Sequence, residues 1–93
     1  MDEEDPIQKL GEREYLVQGT MNLEDLCNLL GLSLSSEDYD TVGGYMIELL
    51  DHLPETGESI VTPENVFLRV EDTDKNRINK LFLRLPEDKD EEK

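Results

Sequence analysis

The chain has 93 residues, 24 acids against 9 bases and a formal net charge of −15. That balance excludes binding to DNA or RNA, which begins with cationic neutralisation of phosphates, and it disfavours anionic membrane surfaces; no apolar run approaches the ~20 residues needed to cross a bilayer. The single cysteine, Cys27, leaves no internal disulfide, and the length allows one small domain.

Charge is densest at the two ends. Residues 1–11 (MDEEDPIQKLG) read as an acidic linker or disordered tail, and residues 86–93 (PEDKDEEK) as a second acidic, disordered tail. The start is acidic, with no basic region and no apolar core of a signal peptide, so the segment has cytoplasmic character. The folded unit is expected over residues 12–85, which hold 15 acids and 6 bases, so the acidic excess is not confined to the ends. A unit of that size buries only about 60% of its unfolded surface.

Residues 15–20 (YLVQGT) combine aromatic and β-branched residues and predict a first strand. In MNLEDLCNLLG, Leu23, Leu26, Cys27 and Leu30 form the stripe of a short amphipathic helix, with Asn22 or Thr20 as its N-cap and Gly31 as its left-handed C-cap. A polar connection, LSLSSEDYD, leads to a second helix in which Val42, Tyr45, Met46, Leu49, Leu50 and Leu53 keep a 3.6-residue period until Pro54 stops it. After the turn ETGES, residues 59–62 predict a short strand whose Pro63 suggests a sheet edge or a turn. Residues 66–72 (VFLRVED) and 78–85 (INKLFLRL) alternate, with Val66, Leu68 and Val70 on one face and Leu81, Leu83 and Leu85 on one face; TDKNR between them is a hairpin turn. The order β-α-α-β-β-β implies a two-layer α+β fold: one mostly antiparallel sheet of about four strands with both helices on one face. Phe67 and Phe82 then fall on the opposite face, as a cover for the back of the sheet or a patch for association.

Few residues carry the signature of chemistry. Cys27 reads as a small buried hydrophobe, and His52, the only histidine, sits where imidazolium favours a helix C-terminus. Asp72, Asp74 and Asn76 match the first three ligand positions of an EF-hand loop, but Arg77 replaces its glycine and Leu83 its bidentate glutamate, so the segment reads as a hairpin and no metal site is expected. Glu37, Asp38 and Asp40 read as capping and dipole partners of the second helix.

The pair Gly43-Gly44 at the start of that helix poses the sharpest question, since glycine costs a helix interior roughly 1 kcal/mol relative to alanine. With Thr41 it could form a phosphate-binding turn, yet the flanking residues are acidic and no base lies between Glu14 and Arg69. Close packing of a capped first turn on a neighbouring backbone, with Asp40 or Thr41 as the cap, is the other account. No nucleophile and base constellation is present, so no catalytic residue and no enzymatic activity are expected.

Taken together, YLVQGTMNLEDLCNLLGL, DYDTVGGYMIELLDHLPETGE and VFLRVEDTDKNRINKLFLRL resemble the transporter-associated domain of CorC/HlyC proteins. The most specific part is the signature Asp40, Thr41, Gly43, Gly44, Pro54 and Gly57; the turn before Val66 is Glu64-Asn65, where the family often has a glycine. The resemblance implies a fold like part of the FAD-binding fold of certain flavin oxidases, and a regulatory or docking role beside a CBS pair and a membrane domain of the same protein, on the cytoplasmic side of a magnesium and cobalt efflux or hemolysin-like system. No cofactor is expected on that reading. Two alternatives stay open: a ligand-binding domain for FAD or an adenine nucleotide at Thr41, Gly43 and Gly44, and a self-association module forming a homodimer.

Overall fold

A computed structural model of the chain describes residues 5–86. The elements run β1 (Ile7–Lys9), β2 (Glu14–Gln18), α1 (Leu23–Leu30), α2 (Val42–Leu50), β3 (Ser59–Val61), β4 (Phe67–Asp74) and β5 (Arg77–Arg84). The strands form one open antiparallel sheet in the order β1-β2-β5-β4-β3, and the helices cover one face. This is the expected two-layer α+β fold with one strand more. The addition, β1, falls in the stretch read as linker, where Ile7, Gln8 and Lys9 pair with Val17, Leu16 and Tyr15. Only Ile7 of the three is even half-buried, and a strand that buries so little carries almost no alternation to read. Apart from Pro86, the expected tail over residues 86–93 lies outside the described residues.

The core forms where the two helical stripes meet the inner face of the sheet. Leu23, Leu26 and Cys27 from α1 and Val42, Tyr45 and Met46 from α2 pack with Val17, Leu68, Val70, Leu81 and Leu83. Burial and the nearby Glu64 carboxylate, in that order, lead the influences that raise the Tyr45 phenol above its ordinary 10.0, so it stays neutral in the core. Strand β5 departs from simple alternation: Ile78 and Leu81 are both buried although three positions apart. The register against β4 slips there, from Asp72↔Lys80 to Thr73↔Ile78, so Asn79 is an extra residue and the bulge turns Ile78 inward. Asn79 spans the irregularity by donating from its side chain to Asp72 Oδ2 at 2.7 Å.

Both helices begin with the caps that their sequences offer. Asn22 Oδ1 accepts from Asp25 N at 3.0 Å, and Thr41 Oγ1 accepts from Gly44 N at 3.1 Å. Of the two candidates at each start, Asn22 and Thr41 are therefore the caps; Asp40 instead offers its carbonyl to Leu23 N at 2.8 Å. Gly31 closes α1 at φ 72 as expected. Helix α2 ends before Leu53, which is 42% exposed. Asp51 adopts φ 67 and returns its N–H to the Ile47 carbonyl at 2.8 Å, a left-handed cap that halts the helix before Pro54 can.

Beyond that cap the chain turns on Pro54, which is buried, and Gly57, whose φ of 97 only glycine adopts readily. Gly57 N donates to Val70 O at 2.8 Å and so fixes β4 against the turn. At the next turn Asn65 takes φ 70 in place of a glycine, while Thr62 Oγ1 accepts from both Glu64 N and Val66 N at 3.1 Å. Asparagine tolerates the left-handed region better than most other non-glycine residues, which lets it hold this turn.

His52 closes the region. Its Nε2 lies 2.6 Å from Glu58 Oε2, and Nδ1 lies 2.9 Å from the Leu50 carbonyl. The Glu58 hydrogen bond raises the imidazole above its ordinary 6.5. The Glu55 N–H, then His52, lowers the Glu58 carboxyl below 4.5. The imidazole's contribution to stability is complete below its unfolded value and is lost as pH rises through the raised folded value; the carboxylate's is complete above its unfolded value and is lost as pH falls through the lowered one. His52→Gln should therefore lower Tm most between those two unfolded values, at about pH 5.5, and least at about pH 8. Thermal unfolding at both pH values tests this; an equal loss at the two would refute the coupling.

Candidate functional site

The starts of the two helices lie side by side. Asn22 and Thr41 form an isolated antiparallel bridge, Leu23 N donates to Asp40 O at 2.8 Å, and Val42 N donates to Met21 O at 2.9 Å. The first turn of α2 is thereby closed on protein groups. Gly43 N donates to Gly19 O at 2.9 Å, Gly44 N to Thr41 Oγ1, and Tyr45 N to Thr41 O at 2.9 Å. An anion-binding helix start presents its N–H groups to the ligand; here those of Val42, Gly43 and Gly44 already have partners.

The missing side chains serve contact. A Cβ on Gly43 would stand 2.9 Å from the Gly19 carbonyl oxygen, and one on Gly44 would stand 2.4 Å from the Tyr39 ring. The pair thus does two jobs: Gly43 meets backbone, and Gly44 seats the ring of Tyr39. The chain's most constrained glycine is a third one, Gly19, where a Cβ would lie 2.0 Å from the Ile78 carbonyl oxygen. Gly19 also donates to Asn79 O at 2.9 Å, so the end of β2, the bulge of β5 and the start of α2 converge on it.

A cleft of about 260 Å³ opens at this junction, lined by Thr20, Tyr39, Thr41, Gly43, Gly44 and Arg77 among others. Arg77 is the feature that local sequence did not reveal. It comes from the far hairpin and lines a cleft at a helix start whose charged neighbours in sequence are acidic. On the other side of Tyr39, a shallow cavity of about 380 Å³ runs along α1 and the connection over Ser35, Ser36 and Asp40. Ser36 donates to the Glu48 carboxylate and accepts from Tyr39 N, which ties the connection to α2. Cys27 is buried as expected, its thiol donating to Leu34 O at 3.3 Å. Among the described residues, no group of three or more His, Cys, Asp or Glu side chains is placed to hold a metal ion. Asp74 pairs with Arg77 across a tight hairpin turn made of Lys75 and Asn76.

The face of the sheet away from the helices has a different chemistry. Phe67 is registered opposite Arg84, and Arg69 opposite Phe82. The rings meet edge to face at 6.0 Å, and each guanidinium lies 4.8 Å from the centroid of the ring across from it. Leu16, Lys80 and Glu14 share this face through their pairing across β2 and β5, and Val61 joins from β3. Arg69 also pairs with Glu71 at 2.7 Å. At the open end of the β4–β5 hairpin, Arg13, Val61, Asn65, Phe67, Arg84, Leu85 and Pro86 wall a groove of about 470 Å³.

An open antiparallel sheet, two helices joined at their starts by a backbone bridge and a sheet face of paired aromatics and arginines make up a small α+β domain. The chain belongs to the CorC_HlyC family, the transporter associated domain, whose model matches residues 8–87; this is not a family of enzymes. It is 33% identical over 89 residues to the magnesium and cobalt efflux protein CorC of Salmonella typhimurium, covering 94% of this chain and 30% of that protein. Escherichia coli K12 CorC matches to the same extent. The chain thus spans under a third of the length of these curated relatives. Among solved structures it is similar to a putative magnesium and cobalt transporter (CorC) associated region from Neisseria meningitidis MC58, with a TM-score of 0.81 at 28% identity, over 88% of this chain and 100% of that one. A hemolysin domain from Enterococcus faecalis V583 also has a TM-score of 0.81, at 27% identity, over 89% of this chain and 100% of that one.

Proposed function

We propose that the chain is a non-catalytic regulatory and docking module of a CBS-domain membrane protein on the cytoplasmic side, where it modulates magnesium or cobalt efflux. The observation that carries this reading is coverage: nearly the whole chain matches magnesium and cobalt efflux proteins, yet it accounts for 30% of their length, and no helix among its described residues is long and apolar enough to cross a membrane. Such a module acts on transport by binding two states of the transporter unequally, since only a difference in contact free energy shifts the equilibrium between them. Deleting the segment equivalent to residues 8–87 from a full-length efflux protein carrying this module should change the rate of cobalt efflux at unchanged expression. Unaltered efflux would sink the proposal.

One observation favours a second reading, a site for FAD or an adenine nucleotide: Arg77 reaches the cleft at Thr41, Gly43 and Gly44. Against it stand the N–H groups of that helix start, each engaged within the protein. Titration with FAD, ATP and AMP separates the readings, because a saturable signal abolished by Arg77→Ala would favour the ligand site.

A further inference from the structure

In a chain of net charge −15, the open sheet face gathers cations. Arg69, Lys80 and Arg84, half of the six bases of residues 12–85, stand on it, and Arg13 lines its groove. The groove itself contains two arginines and four apolar residues, Val61, Phe67, Leu85 and Pro86, with no carboxylate among the described residues that line it. We propose that this groove, centred on Phe67 and Arg84, docks an acidic peptide segment, with carboxylates next to apolar side chains, presented by another part of the transporter to which the module belongs. The inference rests on the docking reading above and names its contact surface.

The geometry selects the occupant. Arg84 stands with its guanidinium carbon 4.8 Å from the centre of the Phe67 ring and with Glu14 as its register partner on β2, and the planar N–H fork of an arginine so stacked matches a carboxylate in bidentate fashion. The ring also fixes the arginine in place, so less side-chain freedom is lost on binding. Val61, at 57% exposed, and the half-buried Phe67 supply an apolar floor beside the charge. A second copy is disfavoured, because an isologous contact would set this arginine face against itself. A nucleic acid or anionic bilayer would meet the same cations but also the excess of 15 acids over 6 bases in residues 12–85. A short peptide avoids most of that field at the screening length of about 8 Å in physiological salt.

The test uses the whole chain and a fluorescein-labelled hexapeptide alternating glutamate with leucine and phenylalanine, followed by anisotropy. Saturable binding is expected, weakened about tenfold or more by Arg84→Glu and separately by Phe67→Ala. Lys75→Glu, at the closed end of the same hairpin, should leave the affinity within about twofold, since eight-residue strands place it more than 20 Å from the groove. Circular dichroism of each variant confirms folding. The proposal is overturned by equal binding of a peptide with glutamine for glutamate, by a Lys75→Glu loss as large as that of Arg84→Glu, by absence of saturation, or by tighter binding to phosphatidylserine vesicles. Arg84→Glu in the full-length protein separates the two levels. If module deletion alters efflux and Arg84→Glu does not, the groove is wrong and the docking reading stands; if deletion itself changes nothing, the docking reading fails.

Discussion

Gly19→Ala should abolish cooperative folding of this chain or lower its stability by about 3 kcal/mol or more, the upper part of the range for forced overpacking. The added methyl would sit 2.0 Å from the Ile78 carbonyl oxygen, and neither partner has a free way to yield. Gly19 N is bonded to Asn79 O, and Gly19 O is bonded to Gly43 N, so moving the residue disturbs β5 and α2 together. Gly31→Ala makes the informative comparison. Nothing lies within 4 Å of a Cβ there, but φ is 72, so its cost is the left-handed backbone alone, about 1–2 kcal/mol. Urea denaturation followed by far-ultraviolet circular dichroism ranks the two. A Gly19→Ala midpoint equal to or above that of Gly31→Ala would show that the junction yields more easily than its hydrogen bonds allow.

Leu81→Ala is the second large effect, expected at about 2–5 kcal/mol. Leu81 is fully buried, faces Val17 on β2 and Val70 on β4, and lies on the strand against which α2 packs. No neighbour can collapse into the space without leaving the sheet register. A domain of about 80 residues has about 4–12 kcal/mol of total stability, so this one side chain accounts for a large share of it. Leu81→Met, which keeps volume, should cost less than about 1.5 kcal/mol. Equilibrium unfolding of both variants checks the pair; similar losses would mean that shape at this site outweighs filled volume.

What could be read from the sequence is what depends on neighbours along the chain. The caps Asn22 and Thr41, the terminator Gly31 and the stripes of both helices are local, because hydrogen bonds at helix ends and side chains one turn apart are set within a few residues. The opposed placement of Phe67 and Phe82 followed from strand alternation in the same way. The partners of those rings did not: that Arg84 covers Phe67 and Arg69 covers Phe82 is a matter of register between two strands. Gly19 looked like the end of a strand, and its significance appears only when the bulge at Asn79 and the turn at Gly43 are brought to it. Arg77, in the β4–β5 hairpin, meets Thr41 at one cleft for the same reason. Strand β1 lies outside what the sequence pattern shows because an edge strand with one half-buried residue leaves little hydrophobic trace.

The way β1 is attached has a mechanical consequence. Its pairing begins at Ile7↔Val17, and Pro6 O accepts from Gln18 N just before it. Ile7 lies toward the Val17–Leu81 end of the sheet and Leu85 beyond its Glu14–Arg84 end, so a pull applied ahead of Pro6 and opposed at Leu85 runs along the strands and loads these bonds together, in shear. Lys9↔Tyr15 is the last rung, and beyond it the pull reaches the turn into β2 and, through β2, the centre of the sheet. Under such a load the strand holds as one unit, and its rungs stand between the pull and the centre of the sheet.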